Sequence, residues 1–329
     1  MKFPTSTAPA NYLYAAMACA DTKRSQYIVH TIPGSNYVGA VTSLGDEIYV
    51  ARLNNNQSIE VYDATTFEPR SCLIVPGRGY CVWGLVACGR YKCLYVSDWG
   101  NDKVHRVELV DVKAVLKWSV ASKPAGLSLI NQHNLLVVSQ GESKLQQFTT
   151  HGMLLRTIPL VKDPNRLPDQ VVWQAVHLLD GNFRISWFSE GQSGVRCQPI
   201  LAQNSSAVPT EECKWNRPAG LVVDKDGRVL IADWYNNRLM VEDWQGRQTT
   251  YCHGYNNYNY YGFRDGPNAA IPPCIEVFEL AVPVEGGLKG PCSLSYDQEL
   301  KRLYIGECEW GSYRVIVVDN VNDFSRPST

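Results

Sequence analysis

Residues 217–241 read RPAGLVVDKDGRVLIADWYNNRLMV, which is three short apolar runs separated by two polar turns. The first turn contains Asp226-Gly227 and the second contains Asn236-Asn237. Apolar runs this short, bounded by Asp-Gly and Asn-rich turns, are typical of strands joined as β-hairpins. The stretch therefore predicts consecutive antiparallel strands.

The middle run of this stretch is an apolar strand that ends in a small residue and a polar one, and it recurs along the chain. The polar residues that end the six runs are Arg52, Asp98, Gln140, Glu190, Asp233 and Glu307. Their spacings are 46, 42, 50, 43 and 74 residues. Four of the five spacings fit the period of about 40–50 residues that is typical of a four-stranded propeller blade.

These six repeats predict an all-β, six-bladed β-propeller that forms a single domain over residues 1–329. One blade cannot bury both of its faces alone, so stacked blades make the core. Glycines in the innermost strands (Gly84, Gly126, Gly220) suit close packing near the axis. The predicted blades span about 35–78, 79–121, 122–162, 168–213, 216–252 and 288–320, with an inserted loop at 251–288.

A spare strand at residues 27–34 precedes the first blade. Its sequence resembles the outer strand that ends other blades, such as residues 155–159. We expect it to complete the last blade, which would close the ring and cover an exposed sheet edge.

The stretch in blade five resembles the NHL repeat. The matching positions are Pro218, Gly220, Leu221, Val223, Asp224, Gly227, Leu230, Ala232, Asp233, Asn236 and Arg238. Blade two matches through Ser97, Asp98, Asn101 and Val104, and residues 262–267 resemble the connector that precedes such repeats. The resemblance implies a propeller. It leaves function open, because NHL domains bind protein or RNA, whereas related propellers act as lyases, lactonases or phosphotriesterases.

As a free-standing propeller of this length, rich in Trp, Tyr and Cys, the chain also resembles the luciferases of syllid fireworms. That resemblance implies oxidation of a small heterocyclic luciferin by O2 with emission of light. It implies no cofactor beyond O2 and no resident metal.

The repeat also predicts a site. In a propeller, the loops after the second strands and before the first strands meet at one end of the channel, so the six polar residues named above would surround its mouth. Arg52, Glu190 and Glu307 depart from the repeat and are the predicted catalytic residues. Two alternatives stay open: Asp98 and Asp233 hydrogen-bond only their own loops, or the ring oxygens hold Ca²⁺.

Aromatic residues are abundant at the same end of the predicted channel. They could form an apolar slot for a flat ligand, or pack as wedges between blades. The predicted substrate-binding residues are Trp83, Trp99, Trp173, Trp187, Trp234, Tyr235 and Trp310. The tyrosine-rich segment 251–261 is either a lid over this mouth or an exposed protein-binding surface.

The charge and hydropathy of the chain limit the classes of partner that we expect. The chain has 31 basic and 32 acidic residues and a net charge of −1, so the broad basic footprint of nucleic-acid binding is not expected. No apolar stretch approaches the ~20 residues of a membrane-spanning helix. Two functions remain: an enzyme acting on a small aromatic or heterocyclic ligand, which we favour, and a non-catalytic propeller that binds protein.

The chain contains 11 cysteines, so at least one thiol is unpaired in a monomer. Cys88 and Cys93 flank a predicted hairpin turn and are the best candidates for a disulfide, ahead of the pairs Cys197–Cys213 and Cys274–Cys292. Buried, reduced cysteines that act as small hydrophobes are the alternative. The cysteine content favours a secreted protein, and a cytoplasmic location stays open.

Overall fold

The fold is seen in a computed structural model, which describes residues 28–53, 58–77, 81–110, 115–160, 170–179, 181–189, 192–198, 214–244, 275–319 and 321. These residues form six antiparallel sheets that follow one another as the blades of a propeller. The predicted all-β, six-bladed propeller is confirmed. None of the described segments is a helix long and apolar enough to cross a membrane.

The strands follow the chain in order. The first strand, β1 (Ile28–Ile32), belongs to the last blade. Blade one contains β2 (Val38–Leu44), β3 (Glu47–Arg52), β4 (Ser58–Asp63) and β5 (Pro69–Ile74). Blade two contains β6 (Leu85–Cys88), β7 (Cys93–Asp98), β8 (Lys103–Glu108) and β9 (Val115–Ser119). Blade three contains β10 (Pro124–Ile130), β11 (Asn134–Ser139), β12 (Lys144–Thr149) and β13 (Leu154–Pro159).

The second half of the ring repeats this arrangement. In blade four the described strands are β14 (Val171–His177), β15 (Phe183–Ser189) and β16 (Gln192–Gln198). Blade five contains β17 (Pro218–Val223), β18 (Val229–Asp233), β19 (Arg238–Trp244) and β20 (Ile275–Leu280). Blade six contains β21 (Pro291–Asp297), β22 (Arg302–Glu307) and β23 (Val315–Asp319), and β1 is its fourth strand.

One strand lies where the sequence predicted a loop. Residues 275–280, within the predicted insertion at 251–288, form β20 and pair with β19 as the outer strand of blade five. The spacing of second strands does not reveal an outer strand that follows a long insertion, so the prediction extended the loop too far. The predicted lid at 251–261 lies outside the described residues.

The ring is closed by the N-terminal strand, as predicted. β1 pairs antiparallel with β23, from Ile28 opposite Asp319 to Ile32 opposite Val315. Ile32 is 1% exposed and packs in a cluster with Val315 and Val317. The two ends of the described chain are therefore held in one sheet.

Hydrophobic clusters lie between neighbouring blades. Among the described residues there are six such clusters, one for each interface around the ring. Between blades two and three, for example, Tyr95 and Val104 pack with Leu135 and Val137. Each fully buried aliphatic side chain stabilises the fold by about 1.5–3 kcal/mol, so the core is distributed around the ring.

The innermost strands of neighbouring blades approach so closely that glycine is required. A Cβ on Gly84 would lie 2.3 Å from the carbonyl oxygen of Ala125, and one on Gly220 would lie 2.9 Å from the backbone nitrogen of Leu294. Because both obstacles are backbone atoms, they cannot move aside without shifting a blade. The predicted reason for glycine near the axis is confirmed.

We expect Gly84→Ala to lower the free energy of unfolding by about 1–3 kcal/mol, the usual cost of overpacking. The control is Gly89→Ala in the same blade, where the nearest atom to the new Cβ, Leu44 Cδ1, lies 3.4 Å away. Urea denaturation of both variants checks this. Equal stability of the two variants would contradict the close approach of blades two and three.

Candidate functional site

Glu307, a predicted catalytic residue, is fully buried at the end of β22. Its Oε1 accepts the backbone N–H of Lys289 at 2.8 Å, and its Oε2 accepts Arg314 Nε at 2.7 Å. The hydroxyl of Ser312 also donates to Oε2. These donors occupy both oxygens, so the carboxylate holds the loop between β22 and β23 in place.

Arg52, a second predicted catalytic residue, is also fully buried. Its Nε lies 2.6 Å from Glu60 Oε2. Its Nη1 donates to the carbonyl oxygens of Asn36 and Tyr313 at 2.9 and 2.8 Å, and its Nη2 donates to that of Pro33 at 3.3 Å. The guanidinium therefore joins blade one to the backbone beside the closing strand and to blade six.

The two aspartates of the predicted ring have local partners. Asp233 accepts hydrogen bonds from Arg238 Nε at 2.8 Å and from Asn236 Nδ2 at 2.7 Å. Asp98 Oδ2 lies 2.9 Å from His105 Nε2 in a pair with no exposed surface. These contacts fit the alternative in which each aspartate serves its own loop. Glu190 lies outside the described residues, so its catalytic role stays a prediction.

A row of aromatic rings crosses the end of the channel where the second strands finish. The ring centroids of Trp83 and Trp173 are 4.7 Å apart, those of Trp173 and Trp234 are 6.0 Å apart, and those of Trp234 and Tyr235 are 5.2 Å apart. Below the first pair, a space of about 30 Å³ lined by Trp83, Trp173 and Gln174 remains at the axis. A space of this size has room for a water molecule but not for a ligand, so the channel is closed at this level.

A larger cavity, here called the mouth pocket, opens beside this aromatic row. It has a volume of about 580 Å³ and lies between blades one, five and six. This volume is typical of small-ligand sites, which range over roughly 300–1,000 Å³. Its lining residues are Tyr37, Leu53, Asn216, Trp234, Tyr235, Asn237, Gly290, Cys308, Glu309 and Trp310.

Of the predicted substrate-binding residues, the structure brings Trp234, Tyr235 and Trp310 together around the mouth pocket. Trp187 is 4% exposed and packs in the hydrophobic cluster between blades three and four. Trp99 donates its indole N–H to Gln140 Oε1 at 3.1 Å, and the ammonium of Lys123 lies over its ring in a cation–π contact. Neither Trp99 nor Trp187 lines the mouth pocket.

The mouth pocket also contains four groups that can exchange protons: Tyr37, Tyr235, Cys308 and Glu309. Desolvation, together with the nearby Tyr313 and Cys308, raises the pKa of Tyr37, so its phenol remains a hydrogen-bond donor at neutral pH. The hydrogen bond from the thiol of Cys292 lowers the pKa of Cys308. Glu309 is exposed and supplies the carboxylate of this site.

Arg217 adds a positive charge next to Tyr235, one of the residues that line the mouth pocket. Its guanidinium lies 4.6 Å from the ring centroid of Tyr235 and 5.3 Å from that of Phe188, and it donates to Tyr235 Oη at 2.8 Å. No carboxylate in the described part of the chain forms an ion pair with it. Sequence reasoning missed Arg217. The available signal was that Arg217 and Lys123 both precede a Pro-Ala-Gly run.

A second cavity lies at the opposite end of the channel. This opposite funnel has a volume of about 610 Å³, and residues from all six blades line it. Aliphatic side chains such as Leu129 and Val223 alternate with polar ones such as Arg90 and His177. Sequence reasoning did not find it, because it depends on the turns after the first strands.

The described cysteines form no disulfide. Cys88 and Cys93 are directly opposite in the hairpin, as expected, but they are free thiols. A hydrogen bond from Cys93 lowers the pKa of Cys88 to about 6. The predicted disulfide between them is therefore absent. Cys292 is also free and contacts Cys308, while its predicted partner Cys274, like Cys213, lies outside the described residues.

No metal site accompanies the pocket in the described part of the chain. There, no group of three or more His, Cys, Asp and Glu side chains is arranged to hold a metal ion. The predicted ring of oxygen ligands is divided among separate loop contacts, such as that of Glu307 with Arg314.

Comparison with known proteins agrees with the fold. Residues 216–241, in blade five, match the NHL repeat family. No curated protein matches the sequence. A protein of unknown function from Bacteroides thetaiotaomicron superposes with a TM-score of 0.60 at 15% identity, covering 88% of this chain and 75% of that one.

Two further solved structures align with 89% of this chain, and each alignment covers 99% of the other protein's chain. The propeller domain of Cps50 (Swd1) from Myceliophthora thermophila has a TM-score of 0.58 at 13% identity. An inactive virginiamycin B lyase from Staphylococcus aureus, solved with quinupristin, has a TM-score of 0.56 at 10% identity. Identities this low show the fold alone. The chain is thus a six-bladed β-propeller, and its fifth blade contains an NHL repeat.

Proposed function

We propose that the mouth pocket binds a small planar aromatic molecule that carries an anionic group, and that the protein acts on this molecule as an enzyme. The observation that carries the proposal is the combination of Trp234, Tyr235 and Trp310 around one cavity, with the guanidinium of Arg217 held against the ring of Tyr235. Aromatic side chains supply a large apolar contact area for a flat ligand. A guanidinium held on aromatic faces binds carboxylate or sulfonate groups with little loss of its own freedom.

We propose further that the reaction is the oxidation of a heterocyclic ligand by O2 with emission of light. The resemblance of the chain to fireworm luciferases supports this reaction, and so does a pocket whose aromatic side chains offer contact area for a heterocyclic ligand. Glu309 is placed to accept a proton and Tyr37 to donate a hydrogen bond. Light on mixing the protein with fireworm luciferin and O2 would support this reaction, and a dark mixture would count against it.

Arg52 and Glu307 are left out of this mechanism. Both side chains are fully buried and their polar atoms are engaged with other parts of the protein. A group that assists proton transfer must reach the reacting atom directly or through one water. Glu190 remains a proposed contributor.

We expect the anionic aromatic dye 8-anilinonaphthalene-1-sulfonate to bind the mouth pocket, and Arg217→Gln to raise its Kd by at least about tenfold. Losing one charge-assisted hydrogen bond costs roughly 1.5–3 kcal/mol, and about 1.4 kcal/mol corresponds to a factor of ten in Kd. Dye fluorescence in a titration of the folded protein measures this constant.

The matched control is Arg90→Gln, since Arg90 also lies over a tyrosine ring but at the opposite funnel. It should leave the Kd unchanged. A second pair compares Trp310→Ala at the mouth pocket with Leu179→Ala elsewhere, because both side chains are 85% exposed. Equal effects of Arg217→Gln and Arg90→Gln would contradict the assignment of the site.

The alternative function is protein binding through the same face. Trp310 is 85% exposed and Tyr235 is 50% exposed, and exposed aromatic side chains of this kind often anchor protein interfaces. The two functions differ in what Trp310→Ala does. Under the small-ligand proposal it weakens dye binding. Under the protein-binding alternative it leaves dye binding intact and removes the anchor for the partner.

A further inference from the structure

Two cysteines that the sequence did not pair meet beside the mouth pocket. Cys308 follows β22 and lines the pocket, whereas Cys292 lies in β21 and is 3% exposed. The backbone N–H of Cys308 donates to the carbonyl oxygen of Gly290 at 2.8 Å, and Pro291 is opposite Glu307 in the strand pairing. This register brings the two thiols close enough that each shifts the pKa of the other.

The two thiols have different surroundings. Cys292 is buried, and its Sγ lies 3.2 Å from the carbonyl oxygen of Val38, an alternative acceptor for its single proton. Its contact with Cys308 and its burial raise its pKa, while the same contact lowers the pKa of Cys308. Cys308 is therefore the more easily deprotonated of the two thiols and the one that a solute in the pocket can reach, and Cys292 is the buried partner behind it. Redox-active cysteines commonly combine an accessible thiolate with such a resolving thiol.

We propose that Cys308 and Cys292 form a thiol–disulfide exchange site that reacts with low-molecular-weight disulfides such as glutathione disulfide. The Cys308 thiolate attacks one sulfur of the disulfide, so that a mixed disulfide forms and one glutathione thiolate leaves. Cys292 then loses its proton and attacks the Cys308 sulfur, which releases the second glutathione. One glutathione disulfide is thereby reduced to two glutathione molecules, and the protein gains one disulfide.

The new bond would link two walls of the mouth pocket. The carbonyl oxygen of Cys308 accepts the indole N–H of Trp234 at 3.2 Å, and Gly290, next to β21, also lines the pocket. Oxidation would thus tie the loop after β22 to β21 beside this tryptophan. The exchange chemistry does not depend on what the pocket binds.

A second cysteine pair in the same chain shows the difference between a thiol that is close to another thiol and a thiol that a reagent can reach. Cys88 and Cys93 are also in contact, and the pKa of Cys88 is lowered to about 6, yet neither has any exposed surface. A reagent cannot reach them while the protein is folded. We therefore expect Cys308 to react faster than Cys88 by more than about tenfold in the folded protein, since access and thiolate character together set the rate.

The test treats reduced, folded protein with glutathione disulfide at pH 7, then quenches with acid, denatures, alkylates and identifies the peptides by mass spectrometry. A peptide that links Cys292 to Cys308 is expected, with Cys88 and Cys93 alkylated. Exposed Cys72 shows that the reagent is active by taking up glutathione. If Cys72 reacts while Cys308 and Cys292 both remain alkylated, the proposal is overturned.

Two variants assign the roles. Cys292→Ser should hold glutathione on Cys308 as a stable mixed disulfide, because no second thiol displaces it. Cys308→Ser should leave Cys292 reduced, because the buried thiol is not reached. Uptake of glutathione by Cys292 in Cys308→Ser would contradict the order of the two steps. The linked peptide from the unmodified chain decides the matter if either variant fails to fold.

Discussion

A chain that lacks residues 1–34 is expected to lose its cooperative unfolding transition. The deletion removes β1, which pairs along its whole length with β23. It exposes the edge of β23 and removes Ile32 from the cluster between blades six and one. It also removes the carbonyl of Pro33, which accepts a hydrogen bond from Arg52. Blade six is thereby left with three strands and a weaker contact with blade one, so the closure of the ring gains less from packing between neighbouring blades.

Thermal unfolding followed by circular dichroism measures this effect. The matched control lacks residues 1–26 and keeps β1, so that a difference between the two deletions reports on residues 27–34. We expect a sharp transition for the control and a broad one for the longer deletion. Equally sharp transitions at the same temperature would show that β1 does not close the ring.

Arg52→Met is expected to lower the free energy of unfolding by about 3–5 kcal/mol, the usual cost of removing one member of a buried ion pair. Methionine keeps much of the side-chain volume but leaves Glu60 without its cation. It also leaves the carbonyl oxygens of Asn36 and Tyr313 without that donor. The loss should appear as a lower urea midpoint with an unchanged slope.

The control for this substitution is Arg70→Met in the same blade. Arg70 pairs with Asp46 and Asp63 at the surface, so its loss should matter much less. Dye binding at the mouth pocket should survive in both variants once they are folded. A stable Arg52→Met protein that has lost binding or turnover would instead restore Arg52 to the functional site.

The sequence predicts the propeller because its blades repeat a local pattern. The apolar runs that end at Asp98 and Asp233 form β7 and β18, which are the second strands of their blades. The turns beside them contain the residues that are usual in β-hairpins. The closing strand was also predictable, since a strand without neighbours in its own repeat needs a partner elsewhere. Among the strands that the structure describes, β20, separated from its blade by an insertion, was missed.

The site was less predictable, because the same repeat position has different roles in different blades. Arg52 and Glu307 depart from the repeat in sequence, yet both have a structural role. Arg52 forms an ion pair with Glu60, and Glu307 forms one with Arg314. Sequence spacing places these residues at the correct end of the channel. It cannot tell whether a side chain points to the axis or back into its own loop.

For the aromatic residues, too, sequence spacing predicts which end of the channel they occupy but not which of them are in contact. Spacing places Trp83 and Trp173 near the channel, but their contact across the axis depends on how far each blade leans inward. The mouth pocket is displaced from the axis, towards blades one, five and six, because that contact closes the centre. Arg217 contacts Tyr235 of this pocket through the orientation of one loop, which the repeat does not encode.

The central claim is that the mouth pocket binds a planar aromatic anion. A crystal structure of the protein with 8-anilinonaphthalene-1-sulfonate tests it most directly. The account predicts density for the dye between Trp234, Tyr235 and Trp310, with its sulfonate within hydrogen-bond distance of Arg217. Density for the dye in the opposite funnel, with the mouth pocket empty, would contradict the account.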